Sequence, residues 1–246
     1  SILLKEINSS IIWKSNSDTE TLLEACEFWS VEKTLEKIVG MFAFSLWDKK
    51  NRTLYLARDR MGEKPLYFGW QGEGKNKSFI FGSELKALKN HPEFSGQINR
   101  RAIALQLRHN YIPDPYSIYK DIYKLLPGHY LKLTENDLIK NRLPNPKIYW
   151  SLIKKAINGS NNKLQSSEDK IKNDLENKLK LSVKQKMISD VPLGAFLSGG
   201  IDSSTIVALM QSQSNHPVKT FTIGFNEVEF NEAKYAKKIA KHLGTD

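Results

Sequence analysis

The run Ser198-Gly199-Gly200-Ile201-Asp202-Ser203-Ser204 sets three hydroxyls and one carboxylate around two residues that have no side chain. That mixture suits a polyphosphate. Gly199 and Gly200 lack Cβ atoms, so backbone N–H groups can close on phosphate oxygens as a nest. The hydroxyls of Ser198, Ser203 and Ser204 add donors. Asp202 would repel phosphate unless a cation stood between them, which argues for Mg²⁺ bridging Asp202 and the ligand. No lysine follows the glycines where a Walker A loop requires one, so the motif is a different one. On its residues alone, Ser-Gly-Gly also suits a plain strand-to-helix turn.

The surrounding elements favour the phosphate reading. The apolar run Val191–Leu197 predicts a strand, and a helix is expected from about Ser203 to Gln211. The strand "KTFTIGF" and the helix "NEAKYAKKIAKHLG" follow. In open α/β sheets, ligands bind beyond the carboxyl ends of the strands, where a helix N-terminus attracts anions. Upstream, Ser166 and Asp169 open a helix with Ile171, Leu175, Leu179, Val183 and Met187 on one apolar stripe. Strands alternating with helices predict an α/β doubly wound parallel sheet over residues 166–246. Two parallel strands make no stable core, so this domain is expected to be partial, with its remaining strands beyond Asp246.

Residues 1–137 read as a different class, α+β with antiparallel sheets. "SDTETLLEACEFWS" opens with Ser17 and Glu20 in capping-box spacing. "VEKTLEKIVG" gives a second short helix that stops near Gly40. "MFAFSLWD" and "TLYLARD" form a hairpin, "KPLYFGW" and "KSFIFGS" add two strands, and Gly128–Leu133 adds another. "NRRAIALQLRHN" is a helix capped by Asn99. Residues 138–165 turn to Asn, Lys, Pro and Ser and are expected to be a linker.

The totals narrow the classes further. No apolar run approaches the roughly 20 residues that span a bilayer, and no leader pattern opens the chain. The single cysteine, Cys26, excludes an internal disulfide framework and suits a reducing cytoplasm. Cys26 falls on the apolar stripe of its helix and is expected to be a core thiol. A net charge of +10 invites a nucleic-acid partner, but the lysines are spread widely. A dedicated nucleic-acid binder is therefore not expected.

The loop SGGxDSS after an apolar strand resembles the PP-loop of N-type ATP pyrophosphatases, which split ATP between its α and β phosphates. "VPLGAFLSGGIDSS", "FTIGF" and "NEAKYAKKIAKHLGT" together resemble the glutamine-hydrolysing asparagine synthetase family. The first part is similar to that family's class II glutamine amidotransferase domain, of the N-terminal-nucleophile type. It is so in "SDTETLLEAC", "GMFAFSLWD", "LYLARDRMGEKPLYFGW", "FGSELKAL" and "LLPGHYLKL". Two unrelated domains matching in order are more specific than either motif.

The resemblance implies ATP and Mg²⁺ as cofactors and glutamine, aspartate and ATP as substrates, and it is compatible with a homodimer. It implies that Asp18 holds the α-ammonium of glutamine, although Asp18 also suits the first turn of a helix. ATP would be held by Leu197, Ser198, Gly199, Gly200, Asp202, Ser203, Ser204 and a backbone contact at Ile223, with Asp202 toward the metal. The family's nucleophile is an N-terminal cysteine, whereas "SILLKEINSS" begins with Ser1. The chain is therefore expected to be truncated at both ends and, as it stands, to turn over neither glutamine nor ATP. Arg58, Asp59 and Arg60 are expected to form structural ion pairs. The alternatives are a relative that amidates another carboxylate, a tRNA-modifying PP-loop protein, and a non-catalytic scaffold.

Overall fold

The computed structural model describes residues 13–15, 17–227 and 231–246. The Ser1 start, and with it the expected lack of an N-terminal nucleophile, lies outside the described residues. The chain divides into two units, Ser1–Asn161 and Asn162–Asp246.

The first unit is layered around one strand. β1 (Ala43–Asp48) and β2 (Thr53–Arg58) pair antiparallel, Ala43 opposite Arg58 and Asp48 opposite Thr53. The polar turn between them is closed by Asp48, whose carboxylate accepts from the Asn51 backbone N–H at 2.9 Å. Side chains alternate across a strand, and here both faces are buried. Tyr55 and Ala57 pack with Cys26, Val31 and Leu35 of α1 (Asp18–Trp29) and α2 (Val31–Lys37). Leu56 points the other way, into Leu66, Phe68, Leu125, Leu131 and Leu133.

β2 also pairs with β6 (His129–Thr134), which gives a second, antiparallel neighbour. A separate antiparallel sheet has the order β4–β3–β5, from β3 (Tyr67–Gln71), β4 (Ser78–Gly82) and β5 (Ile122–Lys124). The layers are thus helices, first sheet, second sheet, with α3 (Leu85–Leu88) packing through Leu88 on Ile80 and Ile122. α4 (Arg100–His109) starts at Asn99, whose Oδ1 accepts from the backbone N–H groups of Arg101 and Ala102.

Three expectations need correction. Glu20 does not close a capping box on Ser17. Its carboxylate accepts instead from the Ser15 hydroxyl at 2.6 Å and the Lys14 backbone N–H at 2.8 Å. The Ser15 bond first, then the Lys14 bond, holds its pKa below the usual carboxylate range. The expected linker at 138–165 is mostly built into the first unit. It carries the end of α5 (Glu135–Ile139), then β7 (Lys147–Ile148), which extends the first sheet beside β6, and α6 (Leu152–Asn161). Backbone pairing of Tyr149 with Gly128 fastens it there, which composition cannot reveal.

Asp59 supplies the third correction. It forms no ion pair among the described residues: its fully buried carboxylate accepts from the backbone N–H groups of Phe42, Met61, Glu63 and Lys64. Arg58 does pair, with Asp114 at 3.3 Å, and it also donates to the carbonyls of Gly62, Lys64 and Leu125. Arg60 donates to the Glu36 carbonyl. Gly62 makes this bend possible. Its φ is +68°, and a Cβ there would lie 2.7 Å from Pro127 Cγ.

In the second unit, β8 (Gly194–Phe196) and β9 (Lys219–Phe221) pair parallel in a two-stranded sheet. The strand is shorter than the expected Val191–Leu197. Pro192 has no N–H to donate, and β9 offers a partner over three residues only. α7 (Glu168–Lys186) packs three of the five residues of the predicted stripe: Val183 is buried, Leu179 and the C-cap Met187 pack against it, and Leu175 is 55% exposed. α8 (Ile201–Gln211) begins two residues before the expected start, and α9 (Ala233–Leu243) packs on it through Ala236 and Val207.

Candidate functional site

Two places bring the singled-out residues together, one in each unit. In the second unit the chain leaves β8 through Leu197, turns at Gly199 with φ +90°, and enters α8. A Cβ on Gly199 would stand 2.9 Å from Tyr235 Cβ and 3.2 Å from the Ala236 backbone nitrogen. Only glycine lets the loop lie this close to α9 in this conformation. The N-cap of α8 is Gly200, so no side chain caps the helix. The first-turn N–H groups of Ile201, Asp202 and Ser203 therefore point out of the helix end with its positive dipole.

The serines are engaged with one another. Ser198 Oγ and Ser203 Oγ lie 2.9 Å apart, and Ser203 Oγ also reaches the Gly200 carbonyl at 3.2 Å. Ser204 Oγ donates to the same carbonyl at 2.7 Å. Asp202 stands in the first turn, exposed, with no hydrogen bond or ion pair among the described residues. It does not form a metal site alone, since no cluster of three His, Cys, Asp or Glu side chains occurs among the described residues. A divalent cation at Asp202 would take its other ligands from phosphate oxygens and water, which is how Mg²⁺ is commonly held. The donor set fits the ion on that condition.

Leu197 and Ile223 behave oppositely. Leu197 is 2% exposed in the core with Val207 and Ala236, its N–H donates to the Phe221 carbonyl, and its own carbonyl accepts from Thr222 Oγ1 at 2.6 Å. Its side chain is part of that core. Ile223, just beyond β9, is 68% exposed. Thr222, which ties the strand ends together beside the loop, carried no sequence signal.

In the first unit a cleft of about 760 Å³ is lined by Asp18 and Leu22 of α1, the segment Ile38–Phe44, Lys64 and Ser83. Asp18 sits in the first turn of α1, so its carboxylate is favoured by the dipole, yet it has no side-chain partner among the described residues. An unpaired carboxylate at a cleft wall is suited to an ammonium group. Asp59 holds the opposite wall, because two of its amide donors, Phe42 and Lys64, line the cleft. Lys64 and Ser83 were missed from sequence: they lie far from Asp18 along the chain and meet it only through the sheets. Cys26 is buried, and burial raises its thiol pKa.

The glycine-serine turn lies in the second unit and the Asp18 cleft in the first. Residues 3–150 match the glutamine amidotransferase domain model, and residues 174–246 match the asparagine synthase model. Three relatives match over nearly the whole chain. A Methanocaldococcus jannaschii protein provisionally named asparagine synthetase [glutamine-hydrolyzing] 2 is 35% identical over 94% of this chain and 42% of its own length. Asparagine synthetase [glutamine-hydrolyzing] 1 of Bacillus subtilis is 34% identical over 95% of the chain and 34% of its own. The Mus musculus asparagine synthetase [glutamine-hydrolyzing] is 28% identical over 95% and 39%. The chain belongs to the glutamine-hydrolysing asparagine synthetase family, and it spans about two fifths or less of the length of these relatives.

Proposed function

We propose that this protein is an ATP-dependent amide ligase that makes asparagine from aspartate and glutamine. The first unit, in this reading, is an N-terminal-nucleophile-type glutaminase domain and the second a PP-loop nucleotide domain, working in a reducing cytoplasm. A carboxylate is a poor acyl donor because oxide is a poor leaving group. Attack of the acceptor carboxylate on the α-phosphorus of ATP forms an acyl-adenylate and releases pyrophosphate. Ammonia from glutamine then displaces AMP.

The residues divide the work. The first-turn N–H groups of α8 and the N–H groups at Gly199 and Gly200 bind the pyrophosphate and stabilise charge as it accumulates there. Ser198, Ser203 and Ser204 rotate their hydroxyls from internal acceptors toward the phosphates. Asp202 would hold Mg²⁺, which would supply charge neutralisation at the phosphates. Asp18 binds the α-ammonium of glutamine. The backbone of Ile223 is free to meet the adenine, while Leu197 supports the loop from beneath.

The observation that carries the reading is the uncapped α8 terminus behind a glycine turn, with Asp202 unpaired beside it. The deciding experiment uses the complete enzyme. Asp202→Ala should lower pyrophosphate release at least 100-fold while glutaminase activity persists, and near-wild-type synthesis would refute the role. Asp18→Ala should raise the KM for glutamine at least tenfold and leave synthesis from free ammonium unchanged. Equal loss with both nitrogen donors would remove Asp18 from the glutamine site.

A further inference from the structure

Beside α4 lies a second cleft of about 610 Å³, apart from the Asp18 cleft and with no part in the chemistry above. Its walls carry Arg101, Arg108, Lys120, Tyr116, Tyr123 and Asp121. Arg101 and Arg108 are seven residues apart on one helix, about 10 Å along the axis, and so face the same side. Both are exposed, and neither guanidinium has a partner among the described residues. Lys120 is held near them by Gln97 Oε1 at 3.4 Å. Tyr116 and Tyr123 pair across an isolated antiparallel bridge; the Tyr123 ring packs beside Phe68 in the core, whereas Tyr116 is exposed at the cationic wall.

We propose that this cleft binds a nucleoside phosphate. The planar fork of a free guanidinium matches the oxygens of a phosphate as well as a carboxylate, and two guanidiniums and an ammonium on one wall suit the larger charge of a phosphate. Inorganic phosphate would need the cations alone; the exposed Tyr116 ring at a cation-lined wall suits a base stacked next to its phosphates. Asp121 is unfavourable to a phosphate but accepts hydrogen bonds from a ribose diol. The same chemistry is offered by a free nucleotide and by single-stranded RNA.

The test is photolabelling of the complete enzyme with 8-azido-ATP followed by peptide mapping. Label is expected on the peptide that contains Tyr116 and Tyr123. It should fall at least tenfold in the Arg101→Glu/Arg108→Glu double variant and be unchanged in Asp202→Ala, so failure at the glycine-serine loop is read separately. Protection by ATP or AMP identifies a free nucleotide, and protection only by a ten-nucleotide RNA identifies a nucleic acid; both support the site. No label on this peptide, equal label in the double variant, or equal protection by inorganic triphosphate overturns it. Circular dichroism verifies folding, and Arg101→Gln/Arg108→Gln replaces the double variant if the charge reversal unfolds the chain.

Discussion

Asp59 concentrates more structure than any other carboxylate among the described residues of the first unit. Four backbone donors converge on its buried carboxylate. Asp59→Asn puts an amide N–H₂ where acceptors are needed, and we expect it to cost about 3 kcal/mol in urea unfolding. Asp114→Asn, at a partly exposed pair, should cost about 1 kcal/mol or less. Tyr149 lies near this charge; burial first, then Asp59, pushes its hydroxyl above the ordinary range, so it stays protonated and donates to the Arg58 carbonyl at 2.7 Å. Cys26 gives a second check. With its thiol raised by burial, iodoacetamide at pH 8 should alkylate it at least tenfold slower than free cysteine, and urea should abolish the protection. The burial of Cys26 was legible from its helical spacing. The role of Asp59 was not, because its partners are main-chain groups brought in from both sides of the hairpin.

Elements were readable where one local rule decided them. Asn99 announces α4, and apolar alternation in "TLYLARD" announces β2. They were unreadable where a distant partner decided, as for β7, a two-residue strand that exists because β6 lies beside it. The turn into α8 falls between these cases: its glycines were visible, but not the contact with α9 that makes Gly199 irreplaceable. Gly199→Ala should destabilise the second unit by about 1–3 kcal/mol, because the backbone at φ +90° and the Ala236 nitrogen both resist a methyl group. Thermal unfolding followed by circular dichroism measures this loss. Ser17→Ala, which removes the α1 cap, should cost only about 1 kcal/mol.

For the molecule as a whole, charge sets the acid limit. Asp137 is buried at the head of α5, where the Thr134 hydroxyl, the Thr134 backbone N–H and Arg142 hold its pKa below the usual value. A depressed carboxyl adds stability that is complete above its unfolded value, about pH 4, and is lost as pH falls through the folded one. The melting temperature should therefore drop between pH 5 and pH 3, and less in Asp137→Asn, whose neutral side chain has no proton to take up. The large positive charge steepens the fall in both, since protonating carboxylates adds self-repulsion. Among the described residues no helix is long and apolar enough to cross a membrane. The antiparallel sheets and helices of the first unit followed from periodicity, and the family from its motifs in order. The way residues 138–161 close onto the first sheet followed from neither.

The strand that feeds two cores at once has a further implication. If β2 slid by one place against β1 and β6, Tyr55 and Ala57 would trade sides with Leu56, sending a phenol into the aliphatic layer and opening a void under the helices. Mispairing is thereby penalised on both faces together, so the strand works as a proofreading device for the assembly of its own sheet.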